Sequence, residues 1–223
     1  TRLPALTRGR GLSYRAADRA DTGPADCLYP WAMRRLPLFL VLVTAVVGLA
    51  AATPDQAPKR LDAPNLAPYV PTPQDVVDRM LLLAKVTKDD VVIDLGCGDG
   101  RIPITAARVY GARGIGVDID PQRIAEANAN ARDDGVSRLV TFKLEDALTT
   151  DVSSATVVTT YLLTASNLKL RPMLTRSLKP GTRIVAHNFG FGDWTPEKVD
   201  TFTDSGNHRR TLYLWTADGI VRP

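Results

Sequence analysis

The stretch "VVIDLGCGDGR", Val91 to Arg101, decides how this chain is read. Val91 to Leu95 is an apolar run broken only by Asp94, the pattern of a strand buried on both faces. Directly behind it, Asp94 to Gly100 packs three glycines and two aspartates into seven residues. Glycine lets a ligand lie against bare backbone, and the aspartates say which kind of ligand that is.

Strands and helices alternate downstream of this run. Ile102 to Tyr110 reads as a helix, Gly114 to Ile119 as a strand, and Pro121 to Arg132 as an alanine-rich helix stopped near Gly135. Leu139 to Leu144 and Ala155 to Leu163 read as the third and fourth strands, Leu168 to Leu178 as a helix, and Thr182 to Asn188 as a fifth strand. Val199 to Thr203 and Thr211 to Thr216 flank the turn "DSGNHRR" and predict a closing antiparallel pair. The fold class expected is α/β: a Rossmann-like, doubly wound, mostly parallel sheet ending in antiparallel strands. Upstream, Thr72-Pro73-Gln74-Asp75 has the form of a helix start, with a hydroxyl cap at Thr72.

In such a sheet, ligands sit beyond the carboxyl ends of the strands, and the loop after the first strand is the usual place. Asp94, Gly96, Gly98 and Gly100 form that loop. Asp118, twenty residues after Gly98, ends the second strand where an acid can accept bonds from ribose hydroxyls, and Asp120 caps the next helix. Asp146, at the end of the third strand, is a candidate acceptor for an adenine amino group, with a solvated loop acid as its alternative. A dinucleotide fingerprint requires G-x-G-x-x-G, but Arg101 stands where the third glycine belongs, and no Gly-Lys-Ser/Thr of a P-loop is present. Asp94 and Asp99 oppose a phosphate and favour a cation. S-adenosylmethionine, with adenine, ribose, ammonium and sulfonium but no phosphate, fits these demands.

The series Asp94-Leu-Gly96-Cys-Gly98-Asp-Gly100, then Gly116-Val-Asp118, then Glu145-Asp146, resembles the first three motifs of class I S-adenosylmethionine-dependent methyltransferases, over about residues 69 to 217. More narrowly, "YVPTPQDVVDRML", "DLGCGDGRI" and "HNFGFGDWTP" resemble the family that contains the ATP synthase c-subunit lysine methyltransferase and its bacterial relatives. That resemblance implies protein-lysine N-methylation. It departs at Thr159-Thr160-Tyr161-Leu162-Leu163, where the family carries an apolar or proline-containing segment. A methyl acceptor that is a small molecule, a lipid or RNA therefore stays open, as does a domain that binds the cofactor without chemistry.

Methyl transfer is an in-line displacement needing alignment of an unprotonated nucleophile, so neither a metal nor a covalent intermediate is expected. Tyr161 at the end of the fourth strand, and His187 and Asn188 at the end of the fifth, are the candidate catalytic residues, with a core tyrosine, a structural histidine and a loop-entry asparagine as their alternatives. "FGFGDWTP", Phe189 to Pro196, reads as a lid or acceptor channel with an ordinary loop wall as its alternative. Cys97 has no base beside it in the sequence and is not expected to be a nucleophile.

The net charge of +4 lies in the first 52 residues, which hold seven Lys/Arg against three Asp/Glu; the rest hold 21 of each. A neutral body offers no general footprint for nucleic acid. From Met33, Arg34-Arg35, the apolar Leu36 to Leu49 and the small Ala50-Ala51-Ala52 have the three parts of an export signal. Extended to Ala52, the run also reaches the edge of spanning length. Residues 33–52 are thus expected to be a signal peptide or membrane anchor, with the body anchored or exported rather than cytoplasmic. Lys59 and Arg60 on its far side oppose that orientation. Residues 1–32, which precede Met33 and show no sustained period, are expected to be an over-extended, disordered N-terminus. Residues 53–71 hold most of a proline-rich stretch, six prolines between Thr53 and Pro73, expected to be a tether with no core of its own ahead of a domain at 72–223. The two cysteines imply no disulfide framework.

Overall fold

The computed structural model describes residues 59–223, so the signal-like run and everything before it lie outside the described residues. Within that span, no helix is long and apolar enough to cross a membrane.

Chain order gives α1 (Gln74–Leu83), β1 (Val91–Leu95), α2 (Arg101–Tyr110), β2 (Arg113–Asp118), α3 (Pro121–Asp133), β3 (Val140–Leu144), β4 (Val157–Thr160), α4 (Thr164–Ser177), β5 (Arg183–His187), β6 (Lys198–Thr203) and β7 (Arg209–Thr216). They build one seven-stranded sheet in the order β3-β2-β1-β4-β5-β7-β6. β1 to β5 run parallel, and β7 enters antiparallel between β5 and β6. This is the doubly wound sheet expected, with the order reversing between β1 and β4, where a crevice opens.

Every residue of β1 and β4 is buried. On one face, Val92, Val157 and Val185 pack under α1 and the Ile102 and Ala106 side of α2. On the other, Ile93, Val158 and Ile184 meet Leu170 and Leu174 of α4 and the indole of Trp215. A third cluster joins α2, α3 and β3 through Ala107, Ala127 and Phe142.

Three local expectations change. Thr72 does not cap α1; Pro73 occupies the cap position without a side-chain bond, and the Thr72 carbonyl accepts from Arg101 at 2.7 Å instead. β4 ends at Thr160, and α4 starts at Thr164 rather than Leu168. Polar residues hid that first turn, because Ser166 and Asn167 face inward to bond the carbonyls of Leu66 and Phe189. The proline-rich stretch also differs from a free tether from Leu61 onward. It is extended, but Leu61 donates to the Ile119 carbonyl at 3.0 Å and Leu66 is buried in the main core. Prolines remove donors without preventing an extended chain from packing.

At the edge of the sheet away from the crevice, Asp90 accepts from Thr156 at 2.6 Å, from the Thr87 amide at 2.7 Å and from Arg183, whose guanidinium also reaches the Ala84 carbonyl at 2.6 Å. Burial pushes the Asp90 carboxyl up, but these donors outweigh it and hold it below the usual carboxylate range. Replacing Arg183 by Met leaves Asp90 buried without its cation, and is expected to lower the unfolding free energy by about 3 kcal/mol in urea titration at pH 7.

Candidate functional site

A cleft lies across the carboxyl ends of β1, β2 and β4, lined by Asp94, Gly96, Cys97, Gly98, Asp118, Asp146, Tyr161 and Leu162. The sequence brings these residues together because each follows or ends a strand, and the parallel register carries every strand end to the same edge.

Asp94 closes the floor. Its carboxylate is 3% exposed and accepts from the Thr159 hydroxyl at 2.7 Å, across the β1–β4 register pair. Burial, joined by the nearby charges of Asp118 and Asp99, raises its pKa to about 7 against the opposing Thr159 bond. The cleft thus holds a carboxyl poised to ionise when a cation arrives.

Asp118 accepts from the Gly98 amide at 3.0 Å and from the Asp120 amide at 3.0 Å, so it braces the loop while lining the cleft. Asp120 caps α3 through the Gln122 amide at 2.9 Å, as its place before Pro121 predicts. Asp146 spends one oxygen on the Leu148 amide at 2.9 Å and also faces the cleft.

Two of the loop's features do other work than the spacing suggests. Gly100 does not line the cleft; at φ +79° its missing Cβ leaves room for Phe142 and Ala127, which an added carbon would meet at 2.6 and 2.8 Å. Asp99 supplies no free charge, because Arg101 clasps it at 2.5 to 3.1 Å and holds its carboxyl below the usual range despite burial. The field on a ligand therefore comes mainly from Asp94, Asp118 and Asp146, with the paired Asp99 a lesser contributor.

Arg60 and residues 64–72 form the far wall of the cleft. Tyr69 lies on the loop, so a Cβ at Gly98 would meet its ring at 2.5 Å, and the Arg123 guanidinium sits 4.4 Å from the centre of the same ring. Neither Tyr69 nor Arg123 was identified from the sequence. The signal available was an aromatic within a proline-rich segment that precedes the first helix.

The three candidate catalytic residues part company. Tyr161 lines the cleft. His187 is fully buried and stacks against Tyr161, ring centres 3.9 Å apart, without reaching the cleft. Desolvation first, and then Arg210, depress its pKa to about 4, so the ring is neutral. Asn188 turns away: at φ +59° its side chain accepts from the Thr211 amide at 3.0 Å and prolongs the β5–β7 pairing. The "FGFGDWTP" segment is no lid across its length, since Phe191 and Trp194 are core residues packed on Trp215. Cys97 is buried, its thiol pushed up by desolvation and by Asp94, which leaves it inert. Among the described residues, no group of three or more His, Cys, Asp or Glu is placed to hold a metal ion.

Comparison with known proteins agrees with this geometry. The model of the ANTKMT methyltransferase domain matches residues 94–198. A protein-lysine N-methyltransferase of Saccharolobus islandicus is 49% identical over 149 residues, 66% of this chain and 92% of the relative. The human ATP synthase c-subunit lysine N-methyltransferase is 29% identical over 160 residues, 72% of this chain and 67% of the relative. Among solved structures, an RNA methyltransferase from Salinibacter ruber in complex with S-adenosyl-L-homocysteine is 50% identical, with a TM-score of 0.64 over 69% of this chain and 97% of that one. The cleft's bare glycine backbone and three carboxylates fit S-adenosylmethionine.

Asp94 makes binding pH-dependent. Its raised pKa means that lowering the pH through about 7 protonates the carboxyl the cation needs, so affinity for S-adenosylmethionine falls there. Asp94→Asn is expected to bind about ten- to a hundredfold more weakly at pH 8 and to lose that slope, measured by calorimetry. In the unliganded chain the sign reverses. The stability present below the unfolded carboxyl pKa is lost as the pH rises to about 7, so the Asn variant is expected to melt higher at pH 8. Separately, Gly100→Ala is expected to lower the melting temperature by several degrees through its contacts with Phe142 and Ala127.

Proposed function

The chain belongs to the ANTKMT methyltransferase family of class I S-adenosylmethionine-dependent methyltransferases, and from that premise we propose that it methylates a lysine amine in a protein. The observation that carries the proposal is the composition of the cleft at its Tyr161–Leu162 end. That wall is aromatic and aliphatic, with a neutral His187 behind it and the apolar Leu163 exposed beside it. An amine entering such a wall is desolvated, which favours its uncharged, nucleophilic form.

When bound, S-adenosylmethionine would supply an electrophilic methyl group, taken by the uncharged amine as the carbon–sulfur bond breaks, with S-adenosylhomocysteine as the leaving group and the surplus proton passing to solvent. The protein aligns and shields. Asp94 would hold the cationic end of the cofactor, Gly96 and Gly98 would admit it against the backbone, and Asp118 and Asp146 would meet its sugar and base. Arg60 and residues 64–72, a strap ahead of α1, line the opposite side.

A second acceptor has one observation in its favour, the similarity to the RNA methyltransferase from Salinibacter ruber. Against it, the chain from residue 53 onward is electrically neutral, and Tyr69 and Val70 expose apolar surface at 46% and 54% beside the cleft. The test is to incubate the full chain with methyl-labelled S-adenosylmethionine and either a lysine-rich protein or total RNA. Label recovered as methyllysine after hydrolysis is expected; label confined to nuclease-sensitive material would overturn the lysine reading.

The Arg34-Arg35 pair and the apolar run to Ala52 support a membrane-anchored or exported setting for the same enzyme. Fractionation of cells producing the full chain is expected to place it in the membrane pellet or outside the cytoplasm, and recovery in the cytosol would refute that setting.

A further inference from the structure

His187 ends β5 with no exposed surface, and neither of its ring nitrogens has a hydrogen-bond partner among the described residues. Burying unpartnered polar atoms costs stability that leucine at the same place would not. What the ring does contact is Tyr161, the first residue beyond β4, at 3.9 Å between centres and 30° between planes. Tyr161 also lies 6.3 Å from Phe189, so the imidazole is one side of a three-ring stack whose middle member faces the cofactor cleft.

We infer that His187 is a positioning residue for methyl transfer, acting through Tyr161, whose ring it holds as the wall against which the methyl acceptor is aligned. Tyr161 leaves the sheet where β4 stops, so no strand pairing fixes it; its place depends on what packs behind it. The imidazole and the Tyr161 ring form a close stack, with planes 30° from parallel and centres 3.9 Å apart, a contact that needs a flat partner of this size. A leucine would fill the space without presenting a flat face, and a phenylalanine would turn Tyr161. Burial also keeps the ring uncharged, so the stack adds no cation next to the reacting amine. A small misplacement of the acceptor is enough to slow an in-line displacement strongly.

The inference rests on the methyltransferase reading, and its test separates the two. Full chains carrying His187→Leu, His187→Phe, Tyr161→Leu and the double change His187→Leu/Tyr161→Leu are compared for S-adenosylmethionine affinity, melting temperature, and kcat and KM on the acceptor labelled by the unaltered chain. His187→Leu is expected to lower kcat/KM by about tenfold or more while cofactor affinity stays within about twofold, and in the Tyr161→Leu background to add about twofold at most. His187→Phe is expected to fall between the unaltered chain and His187→Leu. Losses that multiply in the double variant would show that His187 acts independently of Tyr161 and overturn the inference. So would variants that lose folding and cofactor binding along with activity, since that marks a packing residue. If the label appears in RNA rather than protein, the lysine reading fails, but the same cycle run on RNA still decides the role of His187.

Discussion

A carboxylate buried at the end of β1 is the constraint on which the site turns. Asp94 lies in the middle of the sheet, where β2 on one side and β4 on the other remove water, and among the described residues only the Thr159 hydroxyl pairs with it. A charge in that place is costly unless a cation comes to meet it. The crevice made by the reversal of strand order supplies the opening through which one can arrive. Fold and ligand preference are thus one fact: the sheet that desolvates Asp94 also points it at the cleft.

The remaining acids are disposed around that centre with different tasks. Asp99 is neutralised by Arg101, whose other bond, to the Thr72 carbonyl, ties the glycine loop to the strap. Asp118 holds the loop from the opposite side through the Gly98 amide. Tyr69 then covers the same glycine, with Arg123 stacked behind it. The loop is therefore clamped between a strand end and a segment that precedes the first helix. Bare backbone at Gly98 serves both the approach of a ligand and the approach of the tyrosine.

The opposite end of the cleft is built by packing alone. Asp94, Asp118 and Asp146 each receive hydrogen bonds, whereas Tyr161 is held by ring contacts with His187 and Phe189. The division matches the chemistry of methyl transfer to an amine, in which the donor is cationic and polar while the acceptor must be stripped of its proton and its water. Trp194, Phe191 and Trp215 stabilise the neighbouring loop from inside the core, so the segment after β5 is anchored at its far end.

Much of this was legible in the amino-acid order, because β1, the glycine loop and the acids at Asp118 and Asp146 are local features repeated at the period of one βα unit. The order of strands and helices, the antiparallel ending and the S-adenosylmethionine preference follow from them, since the alternation of apolar runs with turn residues is a short-range property, whereas the end of β4 was not legible. The strap was not legible, for proline content describes what a segment cannot donate, and Leu66 and Tyr69 acquire their roles only by lying across residues 29 to 100 positions away. The start of α4 was hidden because its first turn buries polar side chains whose partners are backbone carbonyls of distant segments. The same limit separates Tyr161, His187 and Asn188: each stands near the end of a strand, and sequence alone treats them alike. Only the tertiary structure, through the direction each side chain takes as its strand leaves the sheet, puts Tyr161 in the cleft, His187 beneath it and Asn188 on β7.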